Sequence, residues 1–221
     1  MPREADHPLH TAEQPDRLSG LGTGGGVVTA EFRTPARPDL AQDLIGRVEA
    51  AGATWRAAGH EREAAPQDVL HAARHSIAAD AQALRRIAAQ LCSWPGRTLI
   101  GAEGSQAALT IALHCDHDPA FQVTLLRMLA EAVRRGEATS AQWAHLHDRC
   151  LVRSGRAQQF GTQYWLREGR LEMYPVADPE SLGKRRADVS LPPRGDLIAL
   201  LERRHVPHNG TGDVTNERSV A

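Results

Sequence analysis

The chain contains little cysteine and no long apolar run. Its three cysteines, Cys92, Cys115 and Cys150, are widely spaced and form no CxxC pair. This pattern favours reduced thiols in a cytoplasmic protein over a disulfide framework. No stretch approaches the roughly 18 apolar residues that a membrane span requires, and the N-terminus lacks the apolar segment of a signal peptide. We therefore expect a cytoplasmic chain without a membrane partner.

Aromatic residues and net charge are also scarce. Phe, Trp and Tyr make up 4% of the 221 residues, whereas Ala and Leu are abundant, so the core should consist of closely packed helices. The formal net charge is -1 and the isoelectric point is about 6.8. Such a chain has no basic field to attract phosphate backbones, which argues against nucleic acid as a partner.

Composition divides the chain into three parts. Residues 1–38 contain "GLGTGGG", which lacks the GK[ST] ending of a phosphate-binding loop and is interpreted as part of a disordered or linker arm. Residues 39–204 show helical periodicity and form the predicted domain, and residues 205–221 are interpreted as a disordered tail. A domain of this length needs no metal or disulfide to stabilise its core.

The predicted domain is mainly α, with one small β ribbon. Asp118 and Pro119 provide a cap and a first-turn proline for one helix, and Thr139 or Ser140 caps the next. β-prone residues on both sides of "REGR" predict a two-stranded ribbon near residues 162–176. Helical spacing of apolar residues is found in residues 39–59, 66–94, 104–115, 119–135, 140–154, 178–191 and 194–205.

Several polar side chains fall on the apolar faces of these helices. His114 and Gln122 are in register with the apolar residues of two helices that a short turn joins. Such helices usually pack antiparallel, which would bring the two side chains to the same end of the pair. His145, Asp148 and Arg149 share one face of the following helix. An unpartnered buried polar group costs about 1–3 kcal/mol, so each of these residues should have a partner or a function.

A structural role is open for each of these residues. Asp116 and Asp118 suit a turn former and a helix cap, and an isolated histidine on an apolar face is commonly a hydrogen-bonded core residue. Asp148 and Arg149 could form a simple ion pair. The sequence contains no GxSxG elbow, and no cysteine lies at the start of a helix. It therefore indicates no covalent nucleophile.

The motifs WPG, HCDHDPAFQ, DR, QFGTQ and DPESLGKRRAD form a linked set. Together they resemble the bacterial family of unknown function 6624, over about residues 80–200. The resemblance implies a mainly helical domain and supplies no reaction. Its characteristic positions in this chain are Trp94, Pro95, Gly96, His114, Gln122, Asp148, Arg149, Gln159, Gly161, Thr162, Gln163, Asp178, Arg185 and Arg186.

Three positions depart from the pattern of that family. Leu113 stands where a glutamine is usual before the histidine, Phe160 replaces a tyrosine, and Gly183 occupies the place of an aspartate. Loss of an amide, a phenol and a carboxylate would change the substrate preference or remove an activity.

The combined pattern predicts an enzyme that acts on a small polar or anionic metabolite in a biosynthetic pathway. His114 is the expected general acid or base, and Asp148 is expected to orient its imidazole or to hold Arg149. The reaction would be hydrolysis, elimination or group transfer, because nothing requires a redox cofactor. Amides would bind neutral groups, and arginines would clamp oxyanions. The predicted substrate-binding residues are Gln122, Arg149, Gln159, Thr162, Gln163, Arg185 and Arg186.

Two other functions fit the same residues. One is a non-catalytic helical module that binds a protein or peptide, as an immunity or regulatory protein does. The other is a metal-dependent enzyme that uses His114, Asp116 and His117, with His145 as an additional candidate ligand. These residues lack the HExxH spacing, so a divalent metal is the minority interpretation and no other cofactor is expected. The sequence does not fix the oligomeric state.

Overall fold

The computed structural model describes residues 34–60, 67–167 and 170–195, which all belong to one unit of the chain, residues 33–221. The predicted fold class is confirmed, because helices predominate and the described sheet has two antiparallel strands. The predicted arm before residue 34, the tail and most of the helix at 194–205 lie outside the described residues. The elements are α1 (Pro38–His60), α2 (Gln67–Leu91), α3 (Arg97–Leu113), α4 (Pro119–Arg134), α5 (Ser140–Arg153), β1 (Tyr164–Arg167), β2 (Arg170–Met173) and α6 (Leu182–Asp188).

The ribbon is shorter than the predicted 162–176. Tyr164 pairs with Met173 at its open end, and residues 168–169 lie outside the described part. Just before β1 the chain makes one further cross-strand hydrogen bond, from the Tyr174 N–H to the Gln163 carbonyl at 3.3 Å, and its N–H groups are bound by side chains. The N–H of Thr162 donates to Asp148, and the N–H of Gln163 donates to the side chain of Gln158.

The Trp-Pro-Gly motif fixes the start of α3 against the loop between α4 and α5. Trp94 is buried, and its indole nitrogen lies 3.5 Å from Ser105 Oγ. A Cβ on Gly96 would lie 2.6 Å from Glu137 atoms, so only glycine fits there. The Glu137 carboxylate caps the helix by accepting hydrogen bonds from the Thr98 N–H at 2.9 Å and the Thr98 hydroxyl at 2.7 Å. A carboxylate from a different loop therefore satisfies the first turn of α3.

α3 begins at residue 97, seven residues before the predicted start at 104. Gly101 interrupts its first turns with φ 73° and ψ 175°, in the left-handed range that favours glycine. The break frees the carbonyls of Thr98 and Leu99, which accept hydrogen bonds from the N–H groups of Ala36 and Arg37. The apolar period is regular only beyond this break, which is why the sequence pattern located the helix too late.

α3 is the central helix of the described part. It packs against α1, α2 and α5, whereas α4 packs mainly against α5. Close approach depends on small residues, as at Gly104, where a Cβ would lie 3.1 Å from Ala41 of α1. Among the described helices, none combines the length and apolar character needed to cross a bilayer.

Both predicted helix caps are present. Asp118 accepts a hydrogen bond from the Phe121 N–H at 3.0 Å, and Pro119 occupies the first position of α4. Thr139, rather than Ser140, caps α5, and its hydroxyl accepts from the N–H of residue 142 in a capping box. The Asp118 cap lies where α3 ends and α4 begins, whereas the Thr139 cap follows the loop that contacts the start of α3.

Candidate functional site

The first part of the site is the end of α3, where the chain turns into α4. His114 directly follows α3, and its Nδ1 lies 2.7 Å from the carbonyl oxygen of Thr110. Because a carbonyl can only accept a hydrogen bond, Nδ1 carries the proton, and Nε2 is the basic nitrogen of the neutral ring.

Burial lowers the pKa of His114 below its ordinary value, and the nearby Arg149 guanidinium adds to this effect. The hydrogen bond to Thr110 and the negative charge of Asp116 act in the opposite direction without reversing it. The ring is therefore neutral at pH 7, which suits a group that accepts a proton.

An ion pair between α5 and the α3–α4 turn lies next to His114. Arg149 donates from Nε to Asp116 Oδ1 at 2.9 Å, and its Nη2 donates to the other carboxylate oxygen. Arg153 donates to the Asp116 backbone carbonyl at 3.3 Å. This two-pronged pair attaches the turn to α5. Within the described part of the chain, no residue accepts a hydrogen bond from Nη1 of Arg149.

The side-chain amide of Gln122 forms hydrogen bonds within the protein. Its side chain is buried, and Nε2 donates to the Ala112 carbonyl at 2.9 Å and to Asp116 Oδ1 at 3.4 Å. The predicted proximity of Gln122 to the end of α3 is present, and the amide joins the end of α3 to the start of α4. Its predicted contact with a substrate remains a prediction.

Asp148 has a different role from the one expected. Arg149 is held by Asp116, so the prediction that Asp148 holds this arginine is wrong. Asp148 is fully buried and accepts hydrogen bonds from the N–H groups of residues 159, 160 and 162 at 2.7–3.1 Å, and from the Thr162 hydroxyl at 3.0 Å. Adjacent helical residues point about 100° apart, which explains why Asp148 and Arg149 serve different parts of the chain.

Hydrogen bonds hold the pKa of Asp148 low. Burial by itself would raise it, but His147 Nδ1 at 3.8 Å and the N–H groups of residues 159, 160 and 162 lower it below its ordinary value. The carboxylate is therefore ionised and committed to the segment that we call the 158–163 loop.

The predicted amides of the 158–163 loop mostly bind backbone. Gln163 donates from Nε2 to the His145 carbonyl at 3.2 Å and to the Thr162 hydroxyl at 3.0 Å. Gln159 contributes its backbone N–H to Asp148, while its side chain is half-buried. Gln158, which was not predicted, is fully buried and donates to the carbonyls of residues 163 and 174.

The two predicted clamp arginines bind carbonyl oxygens. Arg186 is 2% exposed and donates to the carbonyls of Phe160 at 2.6 Å and Pro192 at 2.9 Å. Arg185 donates to the carbonyls of Gln159 at 2.8 Å and Ala177 at 2.5 Å. The loop thus has its N–H groups bound by an aspartate and its carbonyls bound by arginines. In the structure these guanidinium groups donate to carbonyl oxygens of the loop and of its neighbours, and their predicted role as an oxyanion clamp remains a prediction.

Phe160, at the position of an expected tyrosine, belongs to an aromatic cluster. Its ring makes edge contacts with Trp143 and His147, at centroid distances of 5.8 and 5.9 Å. His147 also stacks on Trp143 at 4.7 Å. A hydroxyl at position 160 is therefore not needed for packing here. Gly183 lies in α6 with open space around it.

The metal ligands considered above do not form a set. Among the residues that the structure describes, no three His, Cys, Asp or Glu side chains are arranged to hold a metal ion. Asp116 is bound by Arg149, and His117 is exposed. The metal-dependent alternative therefore has no geometric support in residues 34–60, 67–167 and 170–195.

A cavity of about 380 Å³ lies near the start of α3, away from the predicted residues. It is lined by Arg97, Ala102, Glu103, Ser105, Gln106, Glu137, Ala138, Thr139 and Gln142. Gln106 is two turns before His114 on α3, about 12 Å along the helix axis. This cavity includes neither His114 nor any residue of the 158–163 loop.

Sequence reasoning missed Asp80, a buried carboxylate on α2. It falls between Ile77 and Leu84 at helical spacing, on the apolar stripe of that helix. A polar residue in apolar register was the signal used for His114 and Gln122, and the same signal was present here. Gln158 gave no comparable signal, because it lies in irregular chain.

A family model described as a family of unknown function (DUF6624) matches residues 38–206. No curated protein matches the chain with significance, and no solved structure does.

Proposed function

We propose that this chain, which belongs to the DUF6624 family, is an enzyme that acts on a small polar or anionic molecule by acid–base chemistry at His114. The main support is the His114 ring itself. Its proton is fixed on Nδ1 by the Thr110 carbonyl at 2.7 Å, and burial lowers its pKa. A cationic side chain, Arg149, lies next to it.

Each polar group at this end of α3 has a defined part in the reaction. Nε2 of His114 accepts the proton of the attacking group, a water or a substrate hydroxyl, and returns it to the leaving group. Nη1 of Arg149 donates to a carbonyl or anionic oxygen of the substrate, while Asp116 holds the guanidinium in place. Hydrolysis is the least demanding reaction of this type. It needs no metal or organic cofactor.

The location that fits this chemistry is cytoplasmic. The three cysteines are widely spaced and form no CxxC pair, a pattern that favours reduced thiols and so this compartment. The near-neutral composition supports a small-molecule partner over nucleic acid.

The test is a comparison of variants on a complex mixture of small metabolites. The intact protein is incubated with a cell extract from which macromolecules have been removed, and mass spectrometry follows which compounds disappear. We expect depletion by the wild type to be lost in His114→Asn, whose amide can still donate to the Thr110 carbonyl, and reduced in Arg149→Gln. His117→Asn is the matched control, because His117 is exposed and only three residues away.

A non-catalytic binding module is the second candidate, and one observation favours it. Asp148, Gln163 and Arg186, which were predicted to form a site, are engaged with backbone groups of the 158–163 loop. If the wild type depletes no metabolite, or if His114→Asn retains full depletion, the enzymatic function is wrong and the binding module replaces it.

A further inference from the structure

The cavity near the start of α3 has a buried polar floor. Ser105 is 2% exposed, and its Oγ lies 3.5 Å from both the indole nitrogen of Trp94 and Nε2 of Gln142. Nε2 of Gln142 also lies 3.5 Å from Oε1 of Gln106. An N–H···O hydrogen bond is usually about 2.7–3.2 Å long, so these contacts leave the Gln142 donor weakly bonded.

The orientation of the Gln142 amide is fixed by the cap of α5. Its Oε1 accepts a hydrogen bond from the Thr139 N–H at 3.0 Å, so Nε2 is the end directed to Ser105. The Ser105 hydroxyl accepts its two contacts and donates its proton to no group among the described residues. The floor therefore presents N–H and O–H donors, which suit a ligand that carries acceptor oxygens.

Two unpaired charges of opposite sign lie at the rim of the cavity. Arg97 and Glu103 are exposed lining residues, and neither side chain forms an ion pair or hydrogen bond in the part of the chain that the structure describes. The other charged lining residue, Glu137, has each carboxylate oxygen bound by Thr98. The lining thus carries one positive and two negative charges. This excess of negative charge repels a simple anion and favours a ligand that has a cationic group beside its oxygens.

The size and the apolar part of the cavity limit the ligand further. Its volume of about 380 Å³ is at the small end of the roughly 300–1,000 Å³ range of small-molecule sites. Ala102 and Ala138 give it an apolar wall. A free amino acid combines the three features required, which are a carboxylate, an ammonium group and a small apolar side chain.

We propose that this cavity binds a free amino acid with an apolar side chain. The ligand carboxylate accepts hydrogen bonds from Ser105 and Gln142 and pairs with Arg97, whose guanidinium matches carboxylate geometry. The ligand ammonium pairs with Glu103. No lining residue belongs to the His114 centre, so this site is separate from the proposed reaction and goes beyond it.

Two-dimensional proton–nitrogen NMR of the intact protein tests the proposal with the standard amino acids, each added alone up to about 10 mM. We expect at least one apolar amino acid to shift the amide signals of residues 102–106 and 137–139 saturably, with a dissociation constant of about 1 mM or lower. Its N-acetyl derivative and its carboxamide should each bind about 10-fold more weakly, because each lacks one of the two charges.

Variants at exposed positions assign the two charges. Arg97→Gln and Glu103→Gln should each weaken binding of the amino acid about 10-fold. Glu103→Gln should also remove the preference over the N-acetyl derivative, and Arg97→Gln the preference over the carboxamide, because each variant lacks the partner of the missing charge. Arg127→Gln is the matched control and should leave the affinity unchanged, because Arg127 is an exposed arginine of α4 that does not line the cavity.

Three results would overturn the proposal. The first is that no amino acid shifts the signals of residues 102–106 and 137–139 saturably. The second is that binding is unchanged in both Arg97→Gln and Glu103→Gln, and the third is that both blocked derivatives bind as well as the free amino acid. Activity lost or kept in His114→Asn bears only on the proposed function, so the two can fail independently.

Discussion

Replacing Asp148 with alanine tests whether this residue organises the 158–163 loop. The substitution leaves three backbone N–H groups, of residues 159, 160 and 162, and the Thr162 hydroxyl without their acceptor. An unsatisfied buried donor costs about 1–3 kcal/mol, and some of the four will regain water as the loop relaxes. We therefore expect the free energy of unfolding to fall by about 3–5 kcal/mol.

Urea denaturation followed by circular dichroism gives the free energy of unfolding of each variant. Asp188→Ala is the control, because Asp188 is exposed and its contact to Lys184 at 3.2 Å is a surface ion pair. We expect no measurable change for this control. A loss below about 1 kcal/mol for Asp148→Ala would refute the structural role of the carboxylate.

The difference in free energy of unfolding between wild type and Asp148→Ala should also depend on pH, which gives a second check. The pKa of Asp148 is lowered in the folded state. Its contribution to the free energy of unfolding is therefore fully present above the unfolded-state pKa of about 3.9 and is lost as pH falls through the folded-state pKa. The gap between wild type and Asp148→Ala should therefore be largest near neutral pH and shrink below about pH 4. A gap that stays constant down to pH 3 would contradict this sign.

Three further predictions concern α3 and the thiols. Gly96→Ala should destabilise the protein by about 1–3 kcal/mol in urea denaturation, because the new Cβ would lie 2.6 Å from Glu137. The control Gly183→Ala should stabilise α6 slightly, because Gly183 has open space around it. Glu137→Gln should cost about 1 kcal/mol at neutral pH and less on acidification, since hydrogen bonds from Thr98 lower its pKa and the contribution is lost as pH falls. Iodoacetamide at pH 8 should label exposed Cys92 first, because burial raises the pKa of Cys115 to about 12; equal labelling rates by mass spectrometry would contradict this.

Local rules were sufficient for most of the fold. The Asp118–Pro119 start of α4 and the Thr139 cap of α5 follow from side-chain hydrogen bonds within a few residues, which a sequence displays directly. The start of α3 could not be predicted in the same way. It depends on Glu137, which lies some 40 residues later in the chain and reaches Thr98 only in the folded protein.

The site was harder to predict than the fold, for a physical reason. Helical register shows which face carries a polar residue, but not which neighbouring element that face meets. Spacings of three and four residues from His145 predict that Asp148 and Arg149 share a helix face, yet Asp148 binds the 158–163 loop and Arg149 binds Asp116. Asp80 has the same register signal as His114, on a helix that carries no recognisable motif.

The most direct test of the central claim is the protonation state of His114, measured by long-range proton–nitrogen NMR spectra of imidazole-labelled protein between pH 4 and pH 9. We predict the Nδ1–H tautomer and a pKa below the ordinary value of about 6.5, since Thr110 fixes the proton and burial opposes the charge. A ring protonated on Nε2, or one that remains an imidazolium at neutral pH, would contradict a proton-accepting His114.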